Sequence, residues 1–257
     1  MERWMKASDR STDIIKKLNR HGRISVKELA IDYRITEDLV RKDLKKLEKQ
    51  GLLDRVYGGA ERKKNKFEAQ SIHYRVQVDE EDKASIAKKA VQIITNGEYI
   101  FLDTSSTSVH IAKELARSNL EVTVVTDMLE ITNILSVCED VTLIAIGGIY
   151  NTYTGGFEGP EAISQIRKYA VDKAFVSCRS VDLHGGDLIE GFVDIGNTKK
   201  VILDIARTKI ISTTANKYRS SGIFKFYRLE AIDYVITEKE FDMAQLNKLK
   251  EYKIKAI

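Results

Sequence analysis

Hydrophobic positions in the first sixty residues recur at helical spacing in short blocks. Ile14, Ile15 and Leu18 mark one helix, which Gly22 stops. Ser25-Val26-Lys27-Glu28 reads as a capping box that opens a second helix, with Val26, Leu29 and Ala30 as its apolar face. Thr36 caps a third, with Glu37 and Asp38 in the first turn and Leu39, Val40, Leu44 and Leu47 forming a stripe that ends at Gly51. The few residues around Asp32 to Ile35 leave a tight connection between the second and third helices. Beyond Gly51, the glycine pair Gly58-Gly59 separates short β-prone segments within Leu52 to Ala60, which predicts a hairpin.

The pattern changes further along. Ile86, Ala87, Ala90, Ile93 and Ile94 place a helix between Asp79 and Thr95, closed by Asn96-Gly97. Short apolar runs follow at Tyr99–Leu102, Val122–Val125, Val141–Ile146, Lys173–Val176 and Lys209–Ile211, each suited to a buried strand. Helical segments at Val109–Ala116, Leu129–Val137, Pro160–Tyr169 and Asp194–Ala206 separate them. This alternation predicts an α/β sheet covered on both faces, with ligands at the carboxyl ends of the strands.

Charge divides the chain at the same place. Residues 1–66 hold 19 Lys/Arg and 11 Asp/Glu, a balance of +8, whereas residues 67–257 hold 23 and 27, a balance of −4. A basic head on an acidic body predicts two domains and a polyanion partner for the head. No apolar run approaches the ~20 residues of a membrane span, and the first residues have no apolar signal core, so a cytoplasmic protein is expected. Cys138 and Cys178 alone give neither a disulfide framework nor a metal knuckle, and no cofactor is expected.

The tight helix pair is the geometry of a helix-turn-helix. The third helix carries Arg41, Lys42, Lys45 and Lys46 for the major groove, and Arg55 on the hairpin suits a phosphate contact. In the body, Asp103 is followed by five hydroxyl residues, Thr104 to Ser108, at the junction of a strand and a helix. Such a loop can cradle an anion such as phosphate, or simply cap the helix. Thr126 ends the second strand and Gly147-Gly148 the third, the latter a turn or a point of close backbone approach. Glycine-rich dinucleotide and Walker motifs do not occur.

The stretch Arg41-Lys42-Asp43-Leu44 through Leu47-Glu48, Gly51-Leu52, Arg55 and Tyr57-Gly58-Gly59-Ala60 resembles the start of the DeoR family of bacterial repressors. Phe101-Leu102-Asp103, the hydroxyl loop, Thr126, Gly147-Gly148, Gly159-Pro160 and Asp172-Lys173-Ala174-Phe175 resemble its effector-sensing domain. The resemblance implies a small N-terminal winged helix-turn-helix domain and an α/β sensor domain whose sheet is like that of sugar-phosphate isomerases and coenzyme A transferases. The charged, apolar-poor stretch Glu61 to Lys66 marks the linker, so the expected domains are 8–62 and 79–257, joined at 63–78. The resemblance also implies a double-stranded DNA operator, a phosphorylated sugar effector, and self-association as a dimer or tetramer. The expected DNA-binding set is Ser25, Thr36, Arg41, Lys42, Lys45, Arg55 and Tyr57. The effector residues that the resemblance implies are Asp103, Thr104, Ser105, Ser106, Thr107, Gly147, Gly148, Lys173, Lys199 and Lys217; Thr126 at its strand end and Arg179, which departs from the family and makes the pocket more positive, complete the expected effector set. Several positions depart from the family pattern. Leu39 stands where a threonine is frequent and Tyr57 where a histidine is, while Thr214 replaces a carboxylate. Ser177-Cys178-Arg179-Ser180 replaces a Gly-Ala-Asp/Asn-Gly run, and the glycine-rich return of that loop reads His184-Gly185-Gly186-Asp187.

These features predict a transcriptional repressor of a sugar-utilisation operon and not an enzyme. The rival is a sugar-phosphate isomerase or deaminase with a regulatory head, for which Asp103 and Glu190 are the available bases. Against it, His21, His73, His110 and His184 are scattered and form no acid/base pair at a recognisable spacing.

Overall fold

The computed structural model describes residues 7–50, 52–61, 72–219 and 222–257. Gly51, the expected helix stop, and residues 63–71 of the expected linker lie outside them. The chain divides into two compact units, Met1–Val78 and Asp79–Ile257.

In the first unit α1 (Ala7–His21), α2 (Val26–Tyr33) and α3 (Glu37–Lys49) surround a core of Ile14, Leu18, Leu29, Val40, Leu44 and Leu47. Strands β1 (Arg23–Ser25), β2 (Asp54–Val56) and β3 (Gly59–Glu61) form a small antiparallel sheet in the order β1-β3-β2, so the Gly58-Gly59 hairpin is present. Gly59 has to be glycine, because a Cβ there would come 2.0 Å from Ile24 O. Three local expectations need correction. Ser25 Oγ accepts from Lys27 N–H, two residues on and not three. Leu39 is 37% exposed, because it points away from the Val40-Leu44-Leu47 stripe. Residues 72–77 of the expected linker form helix α4 (Ile72–Gln77), whose Tyr74 is buried in the core of this unit.

The second unit is built on a seven-stranded parallel sheet. Its strands are β4 (Tyr99–Leu102), β5 (Val122–Thr126), β6 (Val141–Ala145), β9 (Val171–Val176), β12 (Ala206–Ser212), β14 (Tyr234–Ile236) and β15 (Lys255–Ala256). Their order is β15-β14-β12-β9-β4-β5-β6. Helices α5 (Glu80–Gln92), α6 (Ser106–Leu115), α7 (Leu129–Leu135), α8 (Pro160–Ile166), α9 (Val193–Asp204) and α10 (Met243–Glu251) complete the alternation. Buried strand residues such as Phe101, Val125, Phe175, Ile211 and Val235 explain why these runs read as continuous apolar segments.

Two additions were not visible in the periodicity. The hairpin β7 (Ile149–Asn151) and β8 (Gly156–Glu158) follows Gly147-Gly148. Strands β10 (Ser180–Asp182), β11 (Asp187–Glu190) and β13 (Phe224–Arg228) make a second antiparallel sheet. Gly196 of α9 faces Phe224 of this sheet so closely that a Cβ would lie 2.5 Å from the ring.

Candidate functional site

The first unit presents a basic face. Arg41, Lys42 and Lys45 are exposed on α3, opposite the buried stripe. Arg41, Arg55, Tyr57, Gly58 and Gly59 line a single cleft with Val26 and Val56, so helix and wing are side by side. Tyr57 is fully exposed at the wing tip. Ser25 and Thr36 sit at the amino ends of α2 and α3, where their hydroxyls accept from Lys27 N–H and Leu39 N–H. Acidic side chains share this surface. Arg41 pairs with Glu37 at 2.6 Å and Asp38 at 2.9 Å, and Arg55 lies 3.7 Å from Glu48. Asp43, two residues from Arg41 and within the family-like motif, turns inward to a buried ion pair with Arg10 at 2.6 Å.

In the second unit the carboxyl ends of β4, β5, β9 and β12 gather polar groups. Asp103 follows β4 and is fully buried. Its Oδ1 accepts from Ser108 Oγ at 2.6 Å and its Oδ2 from Ser177 N–H at 2.9 Å. Ser105 caps α6, accepting from Ser108 N–H at 3.1 Å. Ser106 and Thr107 occupy the first turn, where backbone N–H groups have no partner within the helix. Lys199 reaches from α9 into this group. Its Nζ donates to Glu190 Oε1 at 2.6 Å and to Ser177 O at 2.7 Å, and lies 3.6 Å from Asp103 Oδ2. Burial pulls the lysine pKa down, but Glu190 and Asp103 outweigh it and hold the ammonium above the ordinary lysine value.

The remaining expected residues fall into different roles. Thr126 Oγ1 donates to Leu102 O and accepts from Met128 N–H, so its hydroxyl ties β4 to β5. Gly147 N–H donates to Gln165, and at Gly148 (φ 155°) a Cβ would come 2.8 Å from Glu158 O, so the pair shapes the turn into β7. Arg179 and Lys217 are half-buried in segments that follow β9 and β12. Lys173 does not belong with the others. The parallel register places it opposite Ile100 at the amino end of β9, where it pairs with Glu98. At about 3.3 Å per residue, three residues separate it by ~10 Å from the strand end at Val176.

The structure adds groups that the sequence did not assign to a binding site. Glu190 anchors Lys199 and accepts from Gly191 N–H. Asp127 is buried beside Thr104, and Ser212, Thr213 and Tyr218 hold buried hydroxyls without hydrogen-bond partners at the end of β12. Burial pushes the neighbouring Cys178 thiol up to about 12.

Fold and site together define a two-unit regulator, a winged helix-turn-helix head followed by an α/β sensor unit. Residues 10–66 match the DeoR-like helix-turn-helix domain and residues 78–239 the DeoR C terminal sensor domain. The chain belongs to the DeoR family of transcriptional regulators. It is 30% identical over 251 residues to the lactose phosphotransferase system repressor of Lactococcus lactis subsp. lactis, covering 96% of this chain and 97% of that one. It is 27% identical over 235 residues to the glycerol-3-phosphate regulon repressor of Escherichia coli (strain K12), covering 91% and 92%. Among solved structures, ribose 5-phosphate isomerase A of Methanocaldococcus jannaschii aligns with 55% of each chain at a TM-score of 0.41 and 22% identity.

Proposed function

We propose that this protein is a cytoplasmic repressor of sugar-utilisation genes, controlled by a phosphorylated sugar bound at the carboxyl edge of the large sheet. In this reading residues 8–62 bind the operator and residues 79–257 sense the effector. The observation that carries it is the buried polar cluster of Asp103, Lys199 and Glu190 beneath the hydroxyl loop, in a chain whose other unit has a basic recognition helix. The relatives' names support the chemistry, since one is the repressor of a lactose phosphotransferase system and the other of a glycerol-3-phosphate regulon. The effector contacts in this reading are Thr104 to Thr107 and the ends of Arg179 and Lys217, with Asp103, Thr126 and Lys199 as their support. A two-fold dimer reading a palindromic operator is the expected assembly.

The internal commitments of the two candidate bases favour regulation over catalysis. Glu190 is spent on Lys199, and both oxygens of Asp103 accept from Ser108 and Ser177. A screen of the full chain against phosphosugars tests the proposal. A true effector at 100 times its dissociation constant adds about 2.7 kcal/mol of stability and changes operator affinity. Turnover of any of these compounds would favour the enzyme instead.

A further inference from the structure

Two oxygens at the strand-end site are buried without a hydrogen-bond partner, Thr104 Oγ1 and Asp127 Oδ1. Leaving a buried polar atom unpaired costs roughly 1–3 kcal/mol, so a bound group that pairs with either oxygen recovers that cost. Both lie beneath the β7–β8 hairpin. Phe157 N–H donates to Asp127 O at 2.7 Å, and a Cβ on Gly156 would come 2.4 Å from Thr104 Oγ1. Asp127 itself is 2% exposed.

The charges around Asp127 disfavour a third anion. Asp103 and Glu190 already share the single ammonium of Lys199. Burial pushes the Asp127 carboxyl up to about 7, and Asp103 adds to that shift. Lys199 opposes it, as does the Thr104 hydroxyl, which lies near without reaching hydrogen-bond geometry. The loop that follows Thr104 opens α6 with the N–H groups of Ser106 and Thr107 free of helical partners.

Resting on the effector site proposed above, we propose that Asp127 is a specificity-determining ligand of that site. As a neutral carboxylic acid it donates its O–H to an oxygen of an anionic group seated at Thr104–Thr107, with the Thr104 hydroxyl as a second donor. An ionised Asp127 repels the same anion, so the site selects an anion together with a proton. Effector strength then depends on pH. The competent fraction is the protonated one, and apparent affinity falls by about tenfold from about pH 6 to about pH 8.

The test uses the full chain and inorganic sulfate, whose charge does not change over this range. Titration of the wild type is expected to show the tenfold loss. Asp127→Asn keeps a donor of the same shape and is expected to bind sulfate with no pH slope. Wild-type binding without a slope, or a slope retained in Asp127→Asn, overturns the role of Asp127. Sulfate that binds Ser105→Glu as well as it binds the wild type instead overturns the anion site in the hydroxyl loop, and with it the reading on which this inference rests. An infrared titration gives an independent readout. A protonated-acid band lost in Asp127→Asn supports the proposal, and its absence from the wild type at about pH 6 overturns it whether or not sulfate binds.

Discussion

Lys199 Nζ lies 2.6 Å from Glu190 Oε1 with both side chains less than a tenth exposed, and the carboxylate of Asp103 stands 3.6 Å away on the other side. One ammonium is therefore shared by two carboxylates that arrive from different elements. Lys199→Met strands both acids in a site that water barely reaches. The expected loss is about 3–5 kcal/mol in the sensor unit, read by calorimetric melting of the full chain. In the wild type the folded lysine has a raised pKa. Its stabilisation is therefore complete below the ordinary lysine value and is lost only as pH climbs through the raised one. A Lys199→Met melt that equals the wild type would show that the pair contributes nothing to folding.

In the head, Arg10 and Asp43 form a second buried ion pair at 2.6 Å, joining α1 to the recognition helix. Arg10→Met leaves Asp43 without its counter-charge, at an expected cost of about 3–5 kcal/mol to the first unit. The double variant Arg10→Met, Asp43→Leu should lose less than either single change, because no charge is left unpaired. Equal or additive losses in thermal melts would contradict this account.

Much of the fold was legible because buried parallel strands are short continuous apolar runs. Tyr99–Leu102 and Val122–Thr126 are strands where the pattern put them. The antiparallel sheet of β10, β11 and β13 was not, since its three short strands carry polar residues such as Asp187 and Glu190 at buried positions. Among the site residues, the hydroxyl loop stood out as a run, whereas Lys199 and Glu190 meet only through the packing of α9 on β11. Lys173 shows the opposite failure. It lies within a family-like motif, yet parallel register puts it at the wrong end of its strand. Asp127 was not singled out, since it is covered by a hairpin that periodicity did not reveal.

On α3, Arg41 is held by Glu37 and Asp38 in exposed pairs, each worth less than about 1 kcal/mol. A DNA phosphate can replace them. Glu37→Gln should release Arg41 and remove a charge that faces the duplex, tightening operator binding up to about fivefold at low salt. Lys45→Ala should instead weaken all sequences alike and reduce the salt slope by about one. Mobility shifts over a range of salt concentrations separate the two. A Glu37→Gln protein that binds more weakly would mean that Glu37 positions Arg41 for the groove.

Gly156 is the point where the β7–β8 hairpin rests on the strand-end site. A Cβ there would lie 2.4 Å from Thr104 Oγ1, 2.7 Å from Thr104 Cγ2 and 3.0 Å from Asp127 O. Thr104 is short and branched, so it cannot swing aside as a long side chain would. The hairpin has to lift in Gly156→Ala, straining the bond from Phe157 N–H to Asp127 O and the bond from Leu129 N–H to Gly155 O. Overpacking of this kind costs about 1–3 kcal/mol, less the few tenths that alanine recovers by restricting the unfolded chain. The substitution should also loosen the cover over Thr104 and Asp127 and weaken any ligand bound there, without affecting operator binding by the separate head. Thr104→Ala removes both clashing atoms, so the double variant should regain most of the stability lost in Gly156→Ala. A thermal double-mutant cycle reads this directly. Strong favourable coupling is expected, and losses that simply add would show that the hairpin does not bear on Thr104.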